Sequence, residues 1–324
     1  MAVSFERDPV NGTDESQGSV PELAVVAPSL LLEVAVERSS DGQDEIHLHA
    51  GGQGFWVARM AARLGAKVRL CTTLGGEPGD VLVRLVERAD VELDVIRAAH
   101  ATPALVQDRR ENEPHQVGAA PVPPLGRHEV DELFEMALAA GMSSDAVLLT
   151  GPRVPSQVKP EFYRRLAGDL RRNGSFVAAD LSGQALKAAC EAGLSFLKVS
   201  DEELMEAGLA ERTERQDLLA GMRELCAERV ERMLVSCGDD PALAMHKSQG
   251  AEVRYPQLEP REPRGSGDSI FAAIVTRLAG GEDWEPALRF GTAAGTLNVT
   301  RRGLGSAHPR DVDSLAERVH LDAP

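Results

Sequence analysis

"HAGGQGFWVARMAARLGA", residues 49–66, passes from an alternating stretch through three glycines into a helical pattern. Upstream, in "DEIHLHA" (44–50), Ile46 and Leu48 alternate with Glu45, His47 and His49, the two-residue period of a half-exposed strand. Downstream, Val57, Met60, Ala61 and Leu64 recur at the i, i+3, i+4, i+7 spacing of an amphipathic helix. Gly51, Gly52 and Gly54 at the junction free the backbone for a tight turn or for close approach to a ligand, and the helix start behind them favours a negative group. The dinucleotide fingerprint G-x-G-x-x-G is not met, because position 57 is valine. A strand running through a glycine turn into a helix is the unit from which α/β folds are assembled.

The same unit recurs along the chain. "LAVVA" (23–27), "KVRLCTT" (67–73), "AVLLT" (146–150), "FVAAD" (176–180), "FLKVS" (196–200) and "RMLVS" (232–236) have the length and composition of buried parallel strands. Helical patterns fill the intervals, among them 127–140, 156–173 and 214–229. This alternation predicts a doubly wound, mainly parallel sheet flanked by helices. Segments 30–38, 44–50 and 104–120 look like strands that miss the main sheet. They predict a small β-sheet lid over one edge, from about 30–50 and 100–120.

A second glycine site lies near the C-terminal end, in "RGSGDSIFAAIVTRLAGG" (264–281). Ile270, Phe271, Ile274, Val275 and Leu278 form the buried stripe of a helix starting near Ser266 or Gly267. The N–H groups of Gly265, Ser266 and Gly267 would face whatever sits above that helix start, and Asp268 falls in its first turn. Asp268 either caps the helix or acts as a general base on a hydroxyl that attacks a phosphoryl group. A serine nucleophile is disfavoured, since neither Ser266 nor Ser269 sits in G-x-S-x-G and no spacing links His308 to them.

Composition narrows the partners. A net charge of −16 and an aromatic content of 4% argue against a nucleic-acid surface. No run of eighteen apolar residues and no signal peptide are present, so no membrane association is expected. The four cysteines, Cys71, Cys190, Cys226 and Cys237, are scattered without a CxxC pair, as in a reduced, cytoplasmic chain. The polar opening residues 1–22 read as a disordered leader, which leaves 23–324 as the folded unit. His47 and His49 share a face but lack a third ligand for a metal.

The two glycine sites, in this order, resemble those of the ribokinase-like (PfkB-type) carbohydrate kinases. "GGQGFWVA" (51–58) is similar to the family's G-G-x-G-x-N-x-A, and "GSGDS" (265–269) to its G-A-G-D-[ST]. "DLSGQAL" (180–186), "KVSDEEL" (198–204) and "ALRFGTAAGTLNVTRRGLG" (287–305) resemble segments of the 1-phosphofructokinase and tagatose-6-phosphate kinase branch. The resemblance spans roughly 23–320 and implies a ribokinase-like α/β core with a β-sheet lid. It implies ATP and Mg²⁺ as cofactors, and a small sugar-like acceptor. By it, Asp268 is the base and Gly265, Ser266 and Gly267 form the anion hole. Glu203 helps hold the metal, while Asp180, Lys198, Ser236, Gly238, Gly291 and Asn298 bind the nucleotide and its phosphates. Gly51, Gly52, Gln53, Gly54, Trp56 and Arg153 would line the acceptor pocket.

The departures cluster on the acceptor side. Leu31 stands where the branch has an Asp that grips sugar hydroxyls, Gln53 where it has Lys, Trp56 where it has Asn, and Pro103 where it has a lid Arg. These changes remove charge-assisted donors for a sugar phosphate. Arg153 would restore a cation, and Glu33, two residues beyond Leu31, keeps the same strand face. On the nucleotide side, Ser200 replaces Asn, Pro241 replaces Gly, and Arg264 replaces Thr or Val. The expectation is an ATP-dependent kinase for a hydroxyl of a sugar, sugar phosphate or related polyol. A nucleoside-type kinase, with Trp56 stacking on a base, and a non-catalytic nucleotide-binding relative are the alternatives. An apolar outer face on the lid would favour a homodimer clasped through it.

Overall fold

The inner strands of the main sheet are apolar on both faces, which requires a helical layer on either side. In the computed structural model, which describes residues 19–111, 115–256, 258, 265–300, 305 and 307–324, that is the arrangement found. The chain enters through β1 (Glu22–Ala27), leaves for a small sheet with β2 (Leu31–Arg38) and β3 (Asp44–Gly51), and returns through α1 (Gln53–Arg63) and β4 (Lys67–Leu74). After α2 (Gly76–Glu87) and β5 (Glu92–Arg97) it visits the small sheet again with β6 (Ala104–Asp108) and β7 (His115–Ala119). Helix and strand then alternate through α3 (Arg127–Met142), β8 (Ala146–Thr150), α4 (Pro160–Arg172), β9 (Phe176–Asp180), α5 (Gly183–Ala192) and β10 (Leu194–Ser200). Two helices, α6 (Asp201–Glu206) and α7 (Arg215–Glu228), precede β11 (Val230–Cys237), β12 (Asp240–His246) and β13 (Gln249–Arg254). The last elements are α8 (Ser266–Ala279), α9 (Trp284–Asn298), α10 (Pro309–Ala316) and β14 (His320–Asp322).

The main sheet has ten strands in the order β14-β13-β12-β11-β10-β9-β8-β1-β4-β5. From β5 to β11 all neighbours are parallel, and β12, β13 and β14 add an antiparallel edge. Alternation along β1 sends Leu23, Val25 and Ala27 into the core layer shared with α1, α8 and α9, and Ala24 and Val26 into the opposite layer. The small sheet has the order β3-β2-β6-β7, with β2 and β6 parallel and the outer pairs antiparallel. It is the lid that the off-rhythm segments predict.

Some details differ from the sequence reading. The helix expected over 156–173 begins at Pro160, whose fixed φ and missing N–H suit a first helical position. The 104–120 segment is two strands, with residues 112–114 outside the described residues. Residues 1–18 of the expected leader also lie outside them, and β1 starts at Glu22. Among the described residues, no helix is long and apolar enough to cross a membrane.

Candidate active site

The carboxyl ends of β8, β9, β10 and β11 lie side by side, and in parallel sheets that edge collects functional groups. In register, Thr150 pairs with Asp180, Asp180 with Lys198, and Ser200 with Ser236. Lys198 Nζ therefore reaches Asp180 Oδ2 at 3.3 Å, and both side chains are buried. Phe196 and Lys198 share one face of β10, and Asp268 and Phe271 share one face of α8. Phe271 stacks on Phe196 with ring centroids 6.0 Å apart, so the aromatic pair sets α8 over the strand and brings its first turn to Lys198. A Cβ added at Gly267 would lie 2.6 Å from Lys198 Nζ. An ammonium group and the amino end of a helix thus converge on one point, a combination that favours a bound anion.

Gly265 begins α8 in the left-handed conformation, with φ 71° and ψ 10°. Ser266 donates its hydroxyl to Gly295 O at 3.2 Å and Ser269 donates to Gly265 O at 2.9 Å. Both hydroxyls are committed to backbone carbonyls, which removes the serine-nucleophile reading. His308 likewise serves α10, where Nδ1 accepts from Arg310 N at 3.4 Å.

Burial first, and then the nearby Asp180 charge, push the Asp268 carboxyl up to about 7; Lys198 and the Gln53 amide oppose that rise. Asp180 is also raised, mainly by burial, against the pull of Lys198. Burial alone would lower the Lys198 ammonium, yet Asp180, Asp268 and Glu203 outweigh it and hold it above its ordinary value. Gln53 opens α1 and its Oε1 accepts from Gly151 N at 2.8 Å, while its side chain lies near enough to Asp180 and Asp268 to lower both carboxyls. The residue that replaces a lysine of the resembling branch thus sits at the centre of the charged cluster.

Glu203 caps α6 reciprocally: Ser200 Oγ accepts from Glu203 N at 3.2 Å, and Ser200 N donates to Glu203 Oε2 at 2.9 Å. Among the described residues no three His, Cys, Asp or Glu side chains group closely enough to hold a metal alone. Asp180 Oδ2, however, is buried without a hydrogen-bond partner. An all-oxygen pair with Glu203 suits Mg²⁺, which keeps waters and leans on substrate phosphates.

The remaining predicted residues are spread around this centre. Ser236 lies at the end of β11 and Gly238 in the turn after it, where Gly238 O accepts from the Tyr255 hydroxyl at 2.8 Å. Gly291 and Asn298 serve packing in this structure: a Cβ at Gly291 would meet Ile274 Cγ1 at 2.3 Å, and the fully buried Asn298 accepts from Gly305 N at 2.9 Å. Arg264 and residues 301–304 lie outside the described residues. Gly54 is where α1 meets the sheet, since a Cβ there would fall 2.2 Å from Ala27 Cβ and 2.9 Å from Thr150 Oγ1. Arg153 is exposed two residues beyond Gly151. Trp56 is set apart from the rest, lining a separate cleft between β3, α1 and α2. That position takes away the base-stacking role expected of it.

One lid residue escaped the sequence reading. Arg109, just past β6, donates to Glu33 Oε2 at 3.2 Å, and Glu33 Oε1 lies 3.0 Å from where a Gly51 Cβ would be. Their partial burial against the glycine turn places an acid and a cation on the lid side of the site. Only the parallel pairing of β2 with β6 joins them, and no local motif signals it.

The sequence pattern of the pfkB family carbohydrate kinases matches residues 26–311. The chain is similar to the 1-phosphofructokinase of Vibrio cholerae serotype O1, with 28% identity over 308 residues, 94% of this chain and 92% of that protein. It is also similar to the ATP-dependent 6-phosphofructokinase isozyme 2 of Escherichia coli, with 28% identity over 256 residues, 78% of this chain and 82% of the other. Among solved structures, phosphofructokinase-2 from Escherichia coli in complex with potassium superposes with a TM-score of 0.81 at 24% identity, covering 92% of this chain and 99% of that one. Arabidopsis thaliana ribokinase complexed with ribose and ATP gives a TM-score of 0.70 at 19% identity, covering 92% and 99%. The fold is ribokinase-like.

Proposed function

We propose that this chain, which belongs to the pfkB family of carbohydrate kinases and is a phosphotransferase with a hydroxyl acceptor, carries the γ-phosphoryl group of ATP to a hydroxyl of a sugar phosphate. The observation that carries the reading is Asp268: a half-buried carboxyl raised to about 7, in the first turn of a helix whose N–H groups converge with Lys198. In the step proposed, Asp268 takes the proton of the acceptor hydroxyl. The freed oxygen bonds to the γ-phosphorus, and the bond to the bridging oxygen of ADP breaks. The backbone N–H groups of Gly265, Ser266 and Gly267 and the Lys198 ammonium stabilise the charge that develops on the transferred group. Asp180 and Glu203 would hold Mg²⁺ through its waters, and the ion would supply charge neutralisation to the phosphates.

A phosphorylated acceptor is supported by the names of the two relatives and by Arg109 and Arg153, which offer cations in place of those lost at positions 53 and 103. Glu33 takes the place of the missing Asp as partner for sugar hydroxyls. Ser236 and Gly238 line the nucleotide side, with Gly291 and Asn298 shaping its wall. Residues 22–324 form one catalytic unit, and the exposed Ile46, Leu48 and Val117 of the lid support a homodimer.

Coupled measurement of ADP release across sugars, sugar phosphates and nucleosides tests the substrate class. Asp268→Asn should keep nucleotide affinity and lower kcat by about 10²–10⁴ on the best acceptor. Unchanged turnover in that variant would remove Asp268 as the base.

A further inference from the structure

Trp56, Arg59 and Arg63 stand at i, i+3 and i+7 on α1, one face of the helix. They line a cleft of about 250 Å³ closed on its other sides by β3 and the end of α2, where Arg88 is the C-cap residue. Neither Gln53 nor any of Asp180, Lys198 and Asp268 lines it, so it is distinct from the reaction centre. Among the described residues, Arg59, Arg63 and Arg88 make no ion pair. In a chain with 51 acidic and 35 basic side chains, three unpaired guanidinium groups gathered on one cleft leave it locally cationic. Asp90 lines the cleft as well, one carboxylate against three guanidinium groups. Arg63 and Arg88 sit at helix carboxyl ends, where a cation is favourable without any ligand. Arg59 has no such reason: it is mid-helix and half-buried, and burial and then Arg63 depress its guanidinium.

We infer that the cleft binds a phosphorylated small molecule, its phosphate held by Arg59, Arg63 and Arg88 and its organic part resting on Trp56. Planar guanidinium groups match phosphate oxygens in pairs, and the part of the half-buried indole that lines the cleft suits a ring or carbon chain. The ligand is an effector, not a reactant. β3 ends at Gly51 and α1 begins with Gln53, so a ligand whose phosphate joins α1 to α2 and whose organic part lies against Leu48 and His49 of β3 ties the lid to the core next to the reaction centre.

Inorganic phosphate is the probe, added to the nucleotide-free full chain at constant ionic strength against chloride. Tm should rise saturably, and amide exchange should slow in residues 59–66 and 84–90. In Arg59→Gln/Arg88→Gln the affinity for phosphate at this site should fall at least tenfold, while Arg59→Gln alone should hold or raise Tm in chloride because an unpaired, half-buried charge has gone. The exposed single substitution Arg63→Gln provides the same readout with less risk to folding. Protection confined to the start of α8, or equal affinity in wild type and these variants, would overturn the proposal.

Discussion

Desolvation and a neighbouring carboxylate make the Asp268 carboxyl hold its proton, and that has a thermodynamic consequence. Its folded pKa of about 7 exceeds the ordinary 3.8, so between those values the unfolded chain releases this proton while the folded chain retains it. This contribution to stability is complete below 3.8, declines as pH rises toward about 7, and is gone above it. Asp268→Asn, inactive by the proposed mechanism, should therefore melt at a higher temperature than wild type at pH 8, with a smaller gain at pH 5. Calorimetry at the two pH values checks this, and a gain that shrinks as pH rises would contradict it. Gln53 provides a second lever. Gln53→Lys puts a cation against Asp268, so the acidic limb of the pH–rate profile should move to lower pH and a phosphorylated acceptor should bind more tightly. These residues were readable in the sequence because each lies in a short stretch of fixed spacing: Asp180, Lys198 and Glu203 close strands or open helices, and Asp268 follows a glycine. Trp56 was not, because helical spacing gives its face relative to Gly52 without showing which cleft that face meets. Arg109 depends on strand pairing across seventy residues and leaves no local pattern.

At the level of elements, the site depends on how closely two helices approach the sheet. α8 is located by the Phe271–Phe196 stack and α1 by the absence of a side chain at Gly54. Gly54→Ala would drive a methyl group into Ala27 and Thr150, neither of which can swing aside, at a cost of about 1–3 kcal/mol. The expected result is a lower Tm together with a rise in KM, since Gln53 moves with the helix start. An unchanged Tm would mean that α1 docks more loosely than described. The helices and inner strands were legible because periods of 3.6 residues and continuous apolar runs are strong signals. β5 was missed because "ELDVIR", an edge strand, shows neither a clean alternation nor a long apolar run. The β12–β13 hairpin was missed for a similar reason, its turn passing through Lys247 with φ 55° and no Asn-Gly or Asp-Gly to announce it.

Over the whole molecule, the lid is the part whose sequence signal and role differ most. Its strands were visible as segments out of rhythm with the sheet, but their order, with β2 and β6 parallel across a long excursion, was not. The exposed Ile46 and Leu48 lie two residues apart on one face of β3, and a second copy of the chain would cover them. Ile46→Asp/Leu48→Asp should shift the sedimentation coefficient to that of a monomer, and an unaltered coefficient would place any interface elsewhere. The interior position of β1, between β8 and β4, has a consequence for the birth of the protein. Its partners arrive late: β4 some forty residues downstream and β8 more than a hundred, with Leu23 in register with Ala146. During vectorial synthesis the apolar Ala24–Ala27 run therefore waits unpaired on one edge until the middle of the chain has emerged. Such long-range closure slows folding and exposes a sticky edge meanwhile. Translation pauses or chaperone capture before residue 150 should then influence the yield of native protein more than comparable events later in the chain.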